Sequence, residues 1–179
     1  MNPVAYIDLQ LKDYKETWDF QQNIQNRLID AKIAGAVPGV LASLIFVEHP
    51  HVFTLGKSGK ENNLLINPKV LSSINAVFYK TDRGGDITYH GPGQLVGYPV
   101  FDLDRLGIGV KSYIFRLEES IIKMLKVFDI HASRCNGATG VWIRQDHQPF
   151  MRKICAIGVK ISRGVTMHGF ALNVNTDLN

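Results

Sequence analysis

The chain has 179 residues, 45% of them hydrophobic and 20% charged, which suits one domain with a real core. Its formal net charge of +4 favours acidic partners, but it has no arginine-rich block, aromatic-basic repeat or zinc-finger spacing, which argues against nucleic acid. No apolar run approaches the roughly 20 residues of a membrane-spanning helix, and MNPVAYIDLQ lacks a basic, then apolar, leader pattern, so no membrane association and a cytoplasmic location are expected.

In chain order, Asp13 followed by Glu16 has the form of a capping box. Tyr14, Trp18, Gln21, Ile24 and Leu28 then keep helical spacing until Gly35 and Pro38 stop it. VLASLIFVEHP (40–50) is a β-branched apolar run and reads as a buried strand. NAVFYKTD (75–82) and QLVGYPVFDL (94–103) read as two more. Val110, Tyr113, Ile114, Leu117, Ile121, Met124, Leu125 and Phe128 mark a second amphipathic helix. GVWIR (140–144), KICAIGVKIS (153–162) and VTMHGFALNVN (165–175) read as an antiparallel meander joined by QDHQPFMR and SRG. Without regular βαβ repetition, this order predicts one α+β domain over 1–179, with helices packed on a mixed, largely antiparallel sheet.

RGGDITYHGPGQ (83–94) lies between two of these strands and combines Gly84, Gly85, Gly91 and Gly93 with Arg83, Asp86, His90 and Gln94. Glycines admit positive φ and close approach of a ligand, so backbone amides can face a carbonyl or carboxylate. The pattern GxxxxGK[ST] is absent, and the G-x-G at 91 and 93 has neither a third glycine nor a following helix, which disfavours nucleotide loops. His49 and His51 form only an HPH pair, while His90 and His168 stand alone, so no metal site is expected. A wide turn would account for the glycines but leave Arg83, Asp86, His90 and Gln94 without a role.

In an extended strand, Lys153 and Cys155 share one face, with Ile154 opposite. Two readings of Lys153 stay open: a solvent-facing gatekeeper on an edge strand, or a partly desolvated cation beside the glycine-rich loop, able to lower a thiol's pKa or move protons. Gly158 and Gly169 remove side chains from strand interiors, where a ligand channel would account for both. The two cysteines, Cys135 and Cys155, form no CxxC pair; no disulfide is expected and a reducing compartment fits. Basic residues Lys57, Lys60, Arg83, Arg152, Lys153, Lys160 and Arg163 fall close to the glycine-rich stretches.

EHPHVFTLGKSGKENNLL (48–65), RGGDITYHGPGQLVGYPV (83–100), GVWI (140–143) and RKICAIGVKISRGVTMHGFALNVNTDL (152–178), in this order, closely resemble the octanoyl-[acyl carrier protein]:protein N-octanoyltransferases over nearly the whole chain. The resemblance implies a biotin/lipoate protein ligase-like fold. It also implies transfer of an octanoyl group from octanoyl-acyl carrier protein to a lysine of lipoyl domains, through a cysteine thioester and without a cofactor. The acceptors implied are the lipoyl domains of 2-oxoacid dehydrogenases and the glycine cleavage H protein. Carried over by residue, Arg83, Gly84, Gly85, Asp86, Ile87, Thr88, Tyr89 and His90 line the acyl pocket. Ala156, Ile157 and Gly158 complete it with Gly169, Phe170 and Ala171, and Lys153 matches the lysine that lowers the nucleophile's pKa.

In that family the nucleophilic cysteine follows the NVNTDL segment in a Pro-Cys-Gly context, so it is expected beyond Asn179, and the domain here is expected to lack its C-terminal segment. Cys155 stands where the family has a small residue, and Cys135 lies in a connecting region. Two alternatives remain. An ATP-dependent lipoate or biotin protein ligase would carry R-R-x-S-G-G-G-x-V-Y-H-D or G-R-G-R-x-G at the glycine loop. A catalytically dead acyl-binding module would follow if the natural chain ended at Asn179.

Overall fold

The computed structural model describes residues 4–36, 42–144 and 150–177. β1 (Val4–Leu11) is followed by α1 (Tyr14–Ile33), whose first turn is capped by the Asp13 side chain accepting from the Glu16 amide at 3.0 Å. The predicted cap therefore forms, while the Glu16 carboxylate turns to pair with Lys12. Gly35, at φ +65, follows the Ala34 cap that ends the helix. Next come β2 (Ala42–Glu48), β3 (Val52–Leu55), the short α2 (Pro68–Ser73), β4 (Val77–Lys80), β5 (Ile87–His90) and β6 (Gln94–Phe101). α3 (Val110–Val127) precedes β7 (Ala132–Cys135), β8 (Ala138–Arg144), β9 (Met151–Ser162) and β10 (Val165–Asn173).

Seven strands form one sheet in the order β1-β2-β6-β10-β9-β8-β7, and β4-β3-β5 form a second, three-stranded sheet. The predicted meander is present: β8, β9 and β10 pair antiparallel, and β10 then pairs antiparallel with β6. The predicted strand at 75–82 is shorter, and it pairs parallel with β3 in the small sheet. β1 and β2 are parallel, as the α1 crossover between them requires. Ser162 faces Val165 across a two-residue turn in which Arg163 (φ 48) and Gly164 (φ 79) both adopt positive φ, the geometry that suits a tight hairpin. Part of the predicted QDHQPFMR connection, residues 145–149, lies outside the described residues, as do residues 40 and 41 of the strand predicted over 40–50.

Alternation along the strands separates two apolar clusters. Ile45, Val47, Val96, Tyr98 and Ala171 gather with Leu28 of α1, whereas Phe46, Phe170, Leu172 and Cys155 gather with Ile121 and Leu125 of α3. Neighbouring residues of β2 and β10 thus point to different helices, so α1 and α3 cover opposite faces of the large sheet. Among the described residues, no helix is long and apolar enough to cross a membrane. The mixed α+β, largely antiparallel class expected from the sequence is the one observed.

Candidate active site

The segment from Asp82 to Asp86, between the small sheet's β4 and β5, is pinned on three sides. The Gly84 amide donates to Val159 O of β9 at 2.9 Å. The carbonyls of Arg83, Gly85 and Asp86 accept from the amides of Lys57, Ser58 and Gly56 at 2.9, 3.2 and 3.1 Å. The Asp82 carboxylate accepts from His168 Nε2 at 2.9 Å and from Lys160 Nζ at 2.6 Å. Two glycines make this packing possible. Gly85 sits at φ +89, and a Cβ on Gly158 would lie 2.7 Å from Gly84 O.

What approaches the strand glycines is therefore protein backbone. At Gly158 it is the glycine loop. At Gly169 it is β6, since a Cβ there would lie 2.1 Å from Gly97 O. The close approach expected at the two glycines is thus made by main chain. Their missing side chains first let main chain pack on main chain, although both also border the cavity described next.

A cleft of about 460 Å³ opens against this loop. Arg83, Gly85, Asp86, Ile87, Thr88 and Tyr89 line it from one side, with Lys153, Ala156 and Ile157 of β9 and Ala171 of β10 on the other. Its size falls in the range of about 300–1,000 Å³ typical of small-molecule sites. An inner slot of about 20 Å³ shares Arg83, Thr88, Ala156 and Ala171 with the cleft and continues to His90, Gly158, Gly169 and Phe170. Gly84 borders neither space and instead holds the loop to β9. Reading the sequence missed Tyr14, Val96, Tyr98 and His168 in the slot, and Thr139 and Asn173 in the cleft.

Arg83 stands where cleft and slot meet, only 6% exposed. Its Nη2 donates to Thr54 O at 2.6 Å and Asp86 O at 2.8 Å, Nε to Thr54 Oγ1 at 3.2 Å, and Nη1 to Gly84 O at 2.9 Å. These acceptors are neutral, so the guanidinium is a buried cation at the cavity wall, and burial lowers its pKa. Such a charge favours a ligand that brings or develops negative charge on oxygen.

The slot ends in rings. Tyr14 stacks on His90 with centroids 5.7 Å apart, and His168 and Tyr98 close the remaining wall. His90 Nδ1 donates to Gln94 Oε1 at 2.7 Å, and Gln94 in turn donates to Asn173 Oδ1 at 2.9 Å. His49 Nδ1 donates to Lys12 O at 2.7 Å, which leaves Nε2 to accept from the Tyr98 hydroxyl at 2.9 Å. Burial, the largest cause, pushes His90 down to about 3 and lowers His49 and His168 as well. Burial thus biases all three imidazoles toward the neutral form. His90 and His168 wall the slot, and His49 supports it from behind through Tyr98.

Lys153 and Cys155 do not share a face. Val141 pairs with Cys155 and Trp142 with Lys153, so Ile154 is an extra residue, a β-bulge that breaks the alternation. Lys153 is exposed and lines the cleft, whereas Cys155 is fully buried beside Ile121, Leu125 and Val141. Burial pushes the Cys155 thiol up to about 12, leaving almost no thiolate at neutral pH. The edge-strand reading of Lys153 also falls, because β9 lies between β10 and β8. Of the basic residues picked out in the sequence, Arg83 is buried and Lys160 pairs with Asp82, while Lys57 and Lys60 are exposed.

The profile of the lipoyl protein ligase A/B catalytic domain matches residues 13–179. An octanoyltransferase from Christiangramia forsetii is 54% identical over 98% of this chain and 76% of its own length. One from Parabacteroides distasonis is 50% identical over 100% of this chain and 80% of its own. Among solved structures, P. falciparum LipL1 in complex with lipoate superposes with a TM-score of 0.72 at 15% identity, covering 99% of this chain and 49% of that one. A bi-partite lipoate protein ligase from Thermoplasma acidophilum gives 0.65 at 17% identity, covering 98% and 64%. These structures share the fold, while the sequence relatives carry the closer kinship. The chain belongs to the lipoyl protein ligase A/B catalytic domain family, among its octanoyltransferases.

Proposed function

We propose that this chain moves an octanoyl group from octanoyl-acyl carrier protein to a lysine of lipoyl domains, those of 2-oxoacid dehydrogenases and the glycine cleavage H protein, in the cytoplasm. The observation that carries the reading is one cavity: the Arg83–His90 segment, Ala156–Gly158 and Gly169–Ala171 surround adjoining cleft and slot, with Lys153 beside the same cleft. The acyl chain lies among Ile87, Ala156, Ile157 and Ala171, and its carbonyl faces Arg83. The exposed charges of Lys57, Lys60 and Lys153 suit an acidic carrier.

The chemistry proceeds in two thioester steps. A cysteine thiolate attacks the carrier thioester carbonyl, the oxyanion draws on Arg83, and the intermediate expels the phosphopantetheine thiolate, which takes a proton. The lipoyl-domain lysine then attacks as a free amine, losing a proton as the amide forms, and the enzyme thiolate leaves. Cys155 is too buried for this role and Cys135 borders neither cleft nor slot, so the nucleophile in this reading is the Pro-Cys-Gly cysteine that the family resemblance implies. Lys153, as the ammonium, stabilises that thiolate and gives its proton to the departing phosphopantetheine thiolate, so that its neutral amine can then receive the proton lost by the attacking lysine. Because the acyl group arrives activated, no ATP is consumed.

The test is transfer itself. Full-length enzyme given octanoyl-carrier protein and a lipoyl domain, without ATP, is expected to yield an octanoyl amide on the domain by intact mass. Product that forms only from free octanoate and ATP would overturn the transferase reading in favour of a ligase.

A further inference from the structure

The GVWI segment of β8 has no part in the chemistry above, yet it makes the contacts that hold Lys153. Trp142 and Lys153 are direct cross-strand partners at the bulge, and the lysine Nζ lies 4.7 Å from the centroid of the Trp142 ring. Gly140 lies under the lysine stem: a Cβ there would come within 3.4 Å of Lys153 Cδ and Cε and 2.5 Å of Cys155 O. Gly140 also sits at φ +121, where a side chain would be strained. Its amide donates to Glu118 Oε1 at 3.0 Å, and Glu118, buried on α3, is paired with Arg134 at 3.0 Å. The Trp142 indole Nε1 donates to Ala138 O at 3.3 Å, which fixes the ring in turn.

We propose that Gly140 and Trp142 form a cradle that positions the Lys153 ammonium beside the cleft, with Glu118 anchoring it to α3. They are positioning residues for thiol activation, so the inference rests on the reading of Lys153 given above. A lysine is a charge on a flexible stem and finds few fixed points by itself. The indole face attracts the ammonium, and the groove over Gly140 confines the methylenes. Coulomb attraction falls with distance, so an ammonium free to swing away would hold the thiolate less well.

Two readouts test this separately. In full-length enzyme, Lys153→Met is expected to change the tryptophan emission, and that change is expected to vanish in a Trp142→Phe background. Emission indifferent to Lys153→Met would overturn the cradle whatever the lysine does in catalysis. In full-length enzyme acylated from octanoyl-pantetheine, Trp142→Leu is expected to slow acylation about 3- to 10-fold at pH 7 and less at pH 9, moving the pH midpoint upward. Trp142→Phe, which keeps an aromatic face, is expected to retain most of the rate. Losses equal at both pH values and equal for Leu and Phe would reduce Trp142 to packing and overturn the positioning role. If emission responds but Lys153→Met leaves acylation unchanged, the catalytic reading falls, taking the activation role with it and leaving only the contact.

Discussion

Asp82 ties His168 of β10 to Lys160 of β9, accepting from His168 Nε2 at 2.9 Å one residue ahead of Arg83. The hydrogen bond from His168 is the largest cause holding the Asp82 carboxyl far below the ordinary carboxylate range, with Lys160 adding to it. Asp82→Ala would leave the buried His168 Nε2 without a partner, which costs about 1–3 kcal/mol. Asp82→Asn keeps an acceptor for the ring and loses only the charge, so its loss should be smaller. Urea denaturation at pH 7 orders the two variants; equal losses would show that the charge, not the hydrogen bond, carries the clasp.

The buried imidazoles set a direction for pH dependence. His49, His90 and His168 have lowered values in the fold, His90 to about 3, against 6.5 for an ordinary histidine. The unfolded chain therefore binds protons first as pH falls. Stability from these groups is complete above about pH 6.5 and is lost progressively toward about pH 3. Asp82, also lowered, adds its own loss below its unfolded value near pH 4. Urea midpoints at pH 7, 5 and 4 should fall in that order, and His90→Gln should flatten the decline.

Glycine substitutions should sort by geometry. Gly158→Ala drives a Cβ toward Gly84 O, and Gly85→Val forces a β-branched residue to φ +89. Each should cost about 1–3 kcal/mol and lose octanoyl binding. Gly84→Ala meets its nearest neighbour at 3.4 Å and has no positive φ, so it should be milder in both respects. Calorimetric titration with octanoyl-pantetheine checks the ordering.

Cys155 should behave as a core residue. In native protein a thiol reagent should label the half-buried Cys135 first, and Cys155 only on addition of denaturant. Cys155→Ala should cost about 0.5–3 kcal/mol of stability and leave the acylation rate per folded enzyme unchanged. A thioester found on Cys155 would contradict this.

The long elements were legible because their apolar spacing has a definite period: α1 and α3 by helical repeats, and β2, β6, β9 and β10 by apolar runs. β3, β5 and β7 span four residues each, as does β4, and only β4 stood out as a strand; β5 was hidden within the glycine-rich motif. β1 is an edge strand whose exposed Val4, Tyr6 and Leu11 follow no burial pattern visible in the sequence. Within the site, Arg83 through His90 drew notice through unusual composition, whereas Tyr14 and Tyr98 look like ordinary core positions of a helix and a strand. The parity argument for Lys153 and Cys155 failed at Ile154, since a bulge changes register without changing the apolar pattern.

The most direct measurement is thioester formation by full-length enzyme, with and without Lys153→Met, followed at pH 7 and pH 9 by intact mass. A thiol ionises near pH 8.5 unless a neighbouring cation lowers it, so removing the ammonium depletes the thiolate most at neutral pH. A hydroxylamine-sensitive octanoyl adduct is expected on a cysteine other than Cys155, formed about 10-fold or more slowly by Lys153→Met at pH 7 and with a much smaller deficit at pH 9. An acylation rate indifferent to Lys153 at both pH values would contradict this expectation.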